Sequence, residues 1–133
     1  MYIFYKMTTP SPIIESITKF DGEYGMGYRF IMNDISQNIT CKMQNDRQCC
    51  ERFGVYTDSK MDDFIVSSLI SFEIGEPLYD HENGNGDSSM TTIEAHIHTS
   101  KGKITIQFFN EHNGYYTHDV LIHSKTINQI IRI

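Results

Sequence analysis

Long apolar runs are the first thing that the sequence lacks. No apolar stretch approaches the roughly 18 residues that a membrane-spanning helix needs. The opening "MYIFYKMTTPSP" has no basic region, and its apolar run is too short for a secretory signal. We therefore expect a soluble protein that is not secreted and has no membrane partner.

Cysteine and proline are scarce. The chain of 133 residues has three cysteines (Cys41, Cys49 and Cys50) and three prolines. An odd number of cysteines without a spacing framework predicts reduced thiols in a cytosol-like compartment. A disulfide between the adjacent Cys49 and Cys50 is disfavoured because it would strain the backbone. The length fits one domain over residues 1–133 that buries its own core.

Basic residues are outnumbered, since 17 acidic and 11 basic side chains leave a net charge of −6. There is no run of Lys or Arg, and an acidic surface repels phosphate, so direct nucleic-acid binding is not expected. The chain also lacks a P-loop, a dinucleotide fingerprint, G-x-S-x-G and H-E-x-x-H. These absences favour a non-enzymatic protein without a cofactor, and the question of catalysis stays open.

Period-two alternation dominates what is present. In 38–44, for example, Ile39, Cys41 and Met43 fall on one face, which is typical of a strand with one wet side. Alternation or strand-like composition predicts seven or eight strands, taken from the segments 2–6, 13–20, 27–33, 38–44, 70–76, 91–99, 104–110 and 115–123. The last segment, 126–133, fits a strand or a short helix, and we favour the strand. We expect a β-rich α+β domain, mainly an antiparallel sheet that is curled or sandwich-like.

One helix and one long loop interrupt this pattern. Met61, Phe64, Ile65, Ser68 and Leu69 form an apolar stripe, which predicts one short helix near 60–69. Ser59 and Asp62 resemble a capping box at its start. Residues 77–90 predict a long polar loop. Asn113-Gly114 predicts a hairpin that pairs 104–110 with 115–123.

The adjacent cysteines are candidates for nucleophilic chemistry. A catalytic thiol needs a lowered pKa, which a neighbouring cation or a histidine base can supply. The alternative enzyme hypothesis therefore uses Cys49 or Cys50 with His118 or His123 as base. No spacing brings a histidine to either thiol, and a buried cysteine that packs as a small hydrophobe explains the doublet equally well.

A second set of candidates lies on the strand 91–99. His96 and His98 point to one face about 7 Å apart, and Glu94 shares that face. Two imidazoles and a third ligand form a familiar metal arrangement, so a metal-binding domain is another alternative. Alternation alone explains the same residues as a polar, solvated face.

Two segments together resemble a known family. "DRQCCERFGVY", followed by "DSKMDDFI", resembles the D-x-C-C-E signature of a small uncharacterised family in tailed phages and large DNA viruses. "KGKITIQFFNEHNGYYTHDVLI" is similar to the last hairpin of that family. The resemblance covers about residues 13–123 and implies a viral origin but no particular activity. The characteristic positions that it marks are Cys49, Cys50, Glu51, Asn113, Gly114, Tyr115 and Tyr116.

These observations predict a non-enzymatic viral accessory protein. We expect it in the cytoplasm or nucleus of an infected host cell, where it would bind another protein, viral or host. The apolar segment "TINQIIRI" (126–133) also favours a homodimer, because an exposed edge strand pairs readily with another chain.

Overall fold

A computed structural model describes residues 3–6, 10–23, 25–44, 52–81, 89–112, 117–125 and 127–133. Strands make up most of the described chain. They are β1 (Ile3–Lys6), β2 (Ile14–Gly22), β3 (Gly25–Met32), β4 (Ile39–Met43), β5 (Arg52–Tyr56), β6 (Leu69–Ile74), β7 (Leu78–His81), β8 (Ser89–Thr99), β9 (Gly102–His112), β10 (Asp119–His123) and β11 (Asn128–Arg132). Two short 3₁₀ turns span Ile35–Gln37 and Met61–Phe64.

The strands form two antiparallel sheets. The six-stranded sheet has the order β1-β6-β8-β9-β5, and β7 also pairs with β8. The five-stranded sheet has the order β11-β10-β4-β3-β2. The predicted fold class, mainly antiparallel and sandwich-like, is therefore confirmed. No helix in the described part of the chain is long and apolar enough to cross a membrane.

One hydrophobic core lies between the sheets. Alternation sends every second side chain inward, and both sheets contribute to the same cluster. The central members are Ile39, Cys41 and Met43 of β4, Ile93, Ala95 and Ile97 of β8, and Ile104, Ile106 and Phe108 of β9. Each large aliphatic or aromatic side chain buried here stabilises the fold by about 1.5–3 kcal/mol.

The helix predicted near 60–69 is only a single 3₁₀ turn. After Met61–Phe64, Val66 takes a φ of 67°, which ends the helical path, and Leu69 already begins β6. The predicted capping box is also wrong, because Lys60 is the N-cap and makes no side-chain cap bond. The Ser59 hydroxyl instead accepts a hydrogen bond from the Thr105 N–H at 3.3 Å, and so links this turn to β9.

The hairpin predicted between 104–110 and 115–123 is wrong as well. β9 lies between β8 and β5, so both of its edges are occupied within the six-stranded sheet. β10 belongs to the other sheet, where it pairs with β4 and β11. The chain therefore passes from one sheet to the other between β9 and β10. The predicted strand 126–133 is confirmed as β11.

The polar loop predicted over 77–90 is shorter than expected. Leu78–His81 forms β7, which pairs with the start of β8 at Ser89, and residues 82–88 lie outside the described chain. β6 and β7 run along the same side of β8 and are interrupted at Gly75-Glu76-Pro77. Proline lacks the N–H that a ladder needs, so the interruption falls where the sequence requires it.

Candidate functional site

One end of the sandwich gathers the described residues that flank both signature segments. β4 ends at Met43 and β5 begins at Arg52, while β9 ends at His112 and β10 begins at Asp119. Contacts at this end join Gln44, Phe53, Asn110, His118 and Ile133, which we call the signature end. It draws on both sheets, although its members are far apart in sequence.

His118 is the centre of the signature end. Its side chain is 1% exposed, and Nδ1 lies 2.9 Å from the carbonyl oxygen of Gln44. Because a carbonyl oxygen only accepts hydrogen bonds, we infer that Nδ1 carries a proton and donates it in this contact. The ring stacks on Phe53, with centroids 4.0 Å apart and planes inclined by 28°.

Ile133, the residue after β11, completes the signature end through hydrogen bonds to both sheets. The His118 N–H donates to the Ile133 oxygen at 2.8 Å, and the Ile133 N–H donates back to the His118 carbonyl at 3.0 Å. Asn110, fully buried on β9, donates from Nδ2 to the same Ile133 oxygen at 3.1 Å. These bonds fasten the five-stranded sheet to the six-stranded sheet and fix His118 in place.

Sequence reasoning missed Asn110, Phe53 and Gln44. A signal existed for one of them, because Asn110 continues the inward series 104, 106 and 108 on β9. A polar residue at an inward position must find a buried hydrogen-bond partner. Nothing local marks the other two, since their role comes from contacts with His118, which is 74 residues from Gln44.

The signature residues themselves lie outside the described part of the chain. This holds for Cys49, Cys50 and Glu51, and for Asn113, Gly114, Tyr115 and Tyr116. Of the two predicted bases, His118 lies in the signature end. His123 lies exposed at the far end of β10, opposite Thr40 and Asn128.

The third thiol, Cys41, is unsuited to chemistry. It is free and fully buried in the core, and burial raises its thiol pKa far above the ordinary value of 9.0. A thiol that cannot ionise is a poor nucleophile.

The candidate metal ligands stand on the outer face of the six-stranded sheet. His96 Nε2 is 3.2 Å from Glu94 Oε2, and its Nδ1 is 3.2 Å from the Thr105 hydroxyl. His98 faces a different carboxylate, Glu73, with 3.3 Å between Nε2 and Oε1. Each imidazole therefore has its own acidic neighbour. Across the described ranges, no three His, Cys, Asp or Glu side chains form a group that could hold a metal ion.

Both terminal strands lie at sheet edges on the same side of the sandwich. β1 ends the six-stranded sheet and β11 ends the five-stranded sheet. The Gln129 side-chain amide donates to the Tyr5 hydroxyl at 3.0 Å and so joins the two edges. Ile130 of β11 is 60% exposed on the outer face.

Fold and site together define an antiparallel, two-sheet β domain whose sheets are joined at one end around a buried histidine. The chain belongs to the family described as Domain of unknown function (DUF7448), whose model matches residues 10–122. Searches of curated proteins and of solved structures gave no match.

Proposed function

We propose that this is a non-enzymatic viral accessory protein that acts in the infected cell by protein–protein interaction. Its first partner, in this proposal, is a second copy of the chain, bound through β11. The viral setting rests on the sequence resemblance. The mode of binding rests on one structural observation: among the described residues β11 is an edge strand, and it exposes Ile130.

The β11 edge is less protected than the opposite edge of the same sheet. Within the described residues, no strand pairs with the outer side of β11, and its register with β10 runs without a bulge. β2, at the other edge, carries a bulge between Ile14 and Ser16 and the exposed Lys19. Bulges and edge lysines discourage pairing with another chain, so β11 is the edge that favours it.

The β11 sequence is suited to pairing with itself. An antiparallel, two-fold pairing centred on Ile130 places that side chain opposite its own copy. The same register places Asn128 opposite Arg132, so no like charges face each other. A two-fold interface uses one patch twice, which is the commonest arrangement among homodimers.

Size-exclusion chromatography with light scattering tests this proposal. We expect the wild-type chain to be a dimer, and we expect Ile130→Lys to shift it to the monomer because the two lysine ammonium groups would lie directly opposite each other and repel. Ile35→Lys is the matched control, since Ile35 is 79% exposed but lies on a 3₁₀ turn away from the edge. A wild-type monomer at all concentrations, or equal effects of the two variants, would contradict the proposal.

The position of His118 favours a second candidate, a cysteine-dependent enzyme that uses Cys49 or Cys50. Nδ1 donates to the carbonyl of Gln44, the last described residue before the cysteine segment, so the imidazole is anchored beside the point where that segment begins. This candidate predicts rapid alkylation of Cys49 or Cys50 at neutral pH, slowed by His118→Gln. Mass spectrometry of the labelled peptides decides it, with buried Cys41 as the unreactive reference. Slow labelling of both cysteines would remove this candidate.

A further inference from the structure

A cavity of about 300 Å³ opens on the outer face of the five-stranded sheet, beside the β2–β3 hairpin. Phe20, Gly25, Arg29 and Lys42 line it, and we call it the hairpin notch. Its volume is at the lower end of the range for small-molecule sites. It therefore suits a compact ligand better than an extended chain.

Gly27 lies between two of the residues that line the hairpin notch and carries no side chain. In the sheet register Phe20, Gly27 and Lys42 lie side by side on three neighbouring strands. The two outer side chains therefore stand about 9.5 Å apart with no side chain between them. A Cβ at position 27 would collide with the Cys41 carbonyl oxygen, so a larger residue cannot fill the gap without moving β4.

Gly25 likewise leaves the neighbouring part of the hairpin notch without a side chain. It has a φ of +133°, which strains any L side chain, and a Cβ there would lie 2.9 Å from the Met43 carbonyl oxygen. The gap is thus a consequence of backbone geometry rather than of side chains that happen to turn away.

Two cations border the gap. The Arg29 guanidinium carbon lies 5.7 Å from the centre of the Phe20 ring, and Arg29 Nε donates to the Thr40 hydroxyl at 3.4 Å. Among the residues that the structure describes, no carboxylate forms an ion pair with Arg29 or Lys42. Arg29 and Lys42 therefore bring two cations to the side of the notch next to the Phe20 ring, where they can hold an anionic group.

Two carboxylates at the rim narrow the class of ligand. Asp21 and Glu23 also line the cavity at the hairpin. They repel a second anionic group and accept hydrogen bonds from N–H or O–H donors. We propose that the hairpin notch binds a small ligand with a flat ring, hydrogen-bond donors and one anionic group, held by Phe20, Arg29 and Lys42. A nucleoside monophosphate and an amino-substituted aromatic carboxylate share this chemistry.

Titration by two-dimensional amide NMR tests the proposal with AMP and with 4-aminobenzoate. We expect saturable shifts at the amides of Phe20, Gly25, Arg29 and Lys42 with at least one probe. Binding of AMP alone identifies phosphate as the anion, and binding of 4-aminobenzoate alone identifies carboxylate. Adenosine, which has the ring but no anion, should bind more weakly than AMP by about tenfold or more.

Variants distinguish binding at the hairpin notch from a general effect of protein charge on ligand binding. Arg29→Gln with Lys42→Gln should weaken binding by about tenfold or more, and Phe20→Leu should weaken it less. Lys19→Gln is the matched control for Arg29→Gln alone, because each removes one positive charge from the β2–β3 hairpin and Lys19 does not line the cavity. The amide spectrum of each variant reports whether it is folded.

Two results would overturn the proposal. One is the absence of saturable shifts with both probes in the folded wild-type protein. The other is equal weakening by Lys19→Gln and by Arg29→Gln. Neither result bears on the β11 interface, because that interface is tested by molecular mass.

Discussion

Among single residues, Cys41 shows what alternation predicts well. The pattern of 38–44 places Cys41 beside Ile39 and Met43, and the structure buries all three. A period of two is a local property, so the sequence is enough to identify the inward face of a strand. His118 shows the opposite case. Its burial depends on Phe53 and Gln44, and no local pattern contains that contact.

Burial of Cys41 predicts lower stability at alkaline pH. Its folded-state pKa is raised, so above the ordinary value of 9.0 the unfolded chain releases the thiol proton while the folded chain keeps it. The unfolded state then binds fewer protons, and the free energy of unfolding falls as pH rises, by up to about 1.4 kcal/mol per pH unit. The stabilisation that the buried Cys41 thiol contributes is fully present below the pKa of that thiol in the unfolded chain.

Urea unfolding between about pH 8 and pH 10 measures this effect. Cys41→Ala removes the titrating group, so its stability should fall less steeply with pH than that of the wild-type chain, whatever its stability at neutral pH. Parallel slopes for the two proteins would show that Cys41 ionises equally in the folded and unfolded states.

At the level of elements, the stripe near 60–69 shows why helices and turns are confused. Met61 and Phe64 are three residues apart, a spacing that brings side chains together in a 3₁₀ turn as well as in an α-helix. Both side chains, with Ile65, pack against the core from this turn. The apolar stripe was therefore real, but it did not specify how far the helical path continues.

The end of that turn carries a strained residue. Val66 has a φ of 67°, which is costly for a β-branched side chain, and it is 70% exposed, so little burial offsets the strain. Its N–H donates to the Ile14 carbonyl at 2.8 Å, and this bond between the turn and β2 holds the conformation.

Val66→Asn should therefore stabilise the protein, because asparagine tolerates the left-handed region. We expect a gain of about 0.5–1.5 kcal/mol in the free energy of unfolding, measured with urea. Ile13→Asn is the control, since Ile13 is an exposed neighbour for which no positive φ is found. A loss of stability in Val66→Asn would mean that the side chain contributes more than its conformation costs.

For the whole molecule, the sequence predicts antiparallel strands in a curled or sandwich-like arrangement, but it does not predict which strands belong to which sheet. A turn signal at Asn113-Gly114 predicts a reversal of the chain, but it does not predict which strand pairs with the next one. β9 could accept no third partner, because β8 and β5 occupy both of its edges. The strand β5 that fills the second edge was itself not predicted. Gln44, Phe53, Asn110 and His118 meet only because of this topology. Their contacts therefore could not be predicted from the sequence either.

The two-sheet arrangement predicts energetic coupling between the two terminal strands. Tyr5 and Gln129 are 124 residues apart in sequence, and their hydrogen bond is a direct link between the sheets. Tyr5→Phe and Gln129→Leu each remove one partner. A double-mutant cycle in urea should give a coupling of about 0.5–1.5 kcal/mol.

The cycle also distinguishes this architecture from one in which the ends are independent. If β1 and β11 did not meet, the two changes would add to within about 0.3–0.5 kcal/mol. Thr18→Ala combined with Gln129→Leu is the control pair, because Thr18 lies on β2 at the other edge of the five-stranded sheet from β11. Coupling confined to the Tyr5–Gln129 pair would mean that β1 and β11 contact each other at the same side of the sandwich. A partner that displaced β11 would then also loosen β1.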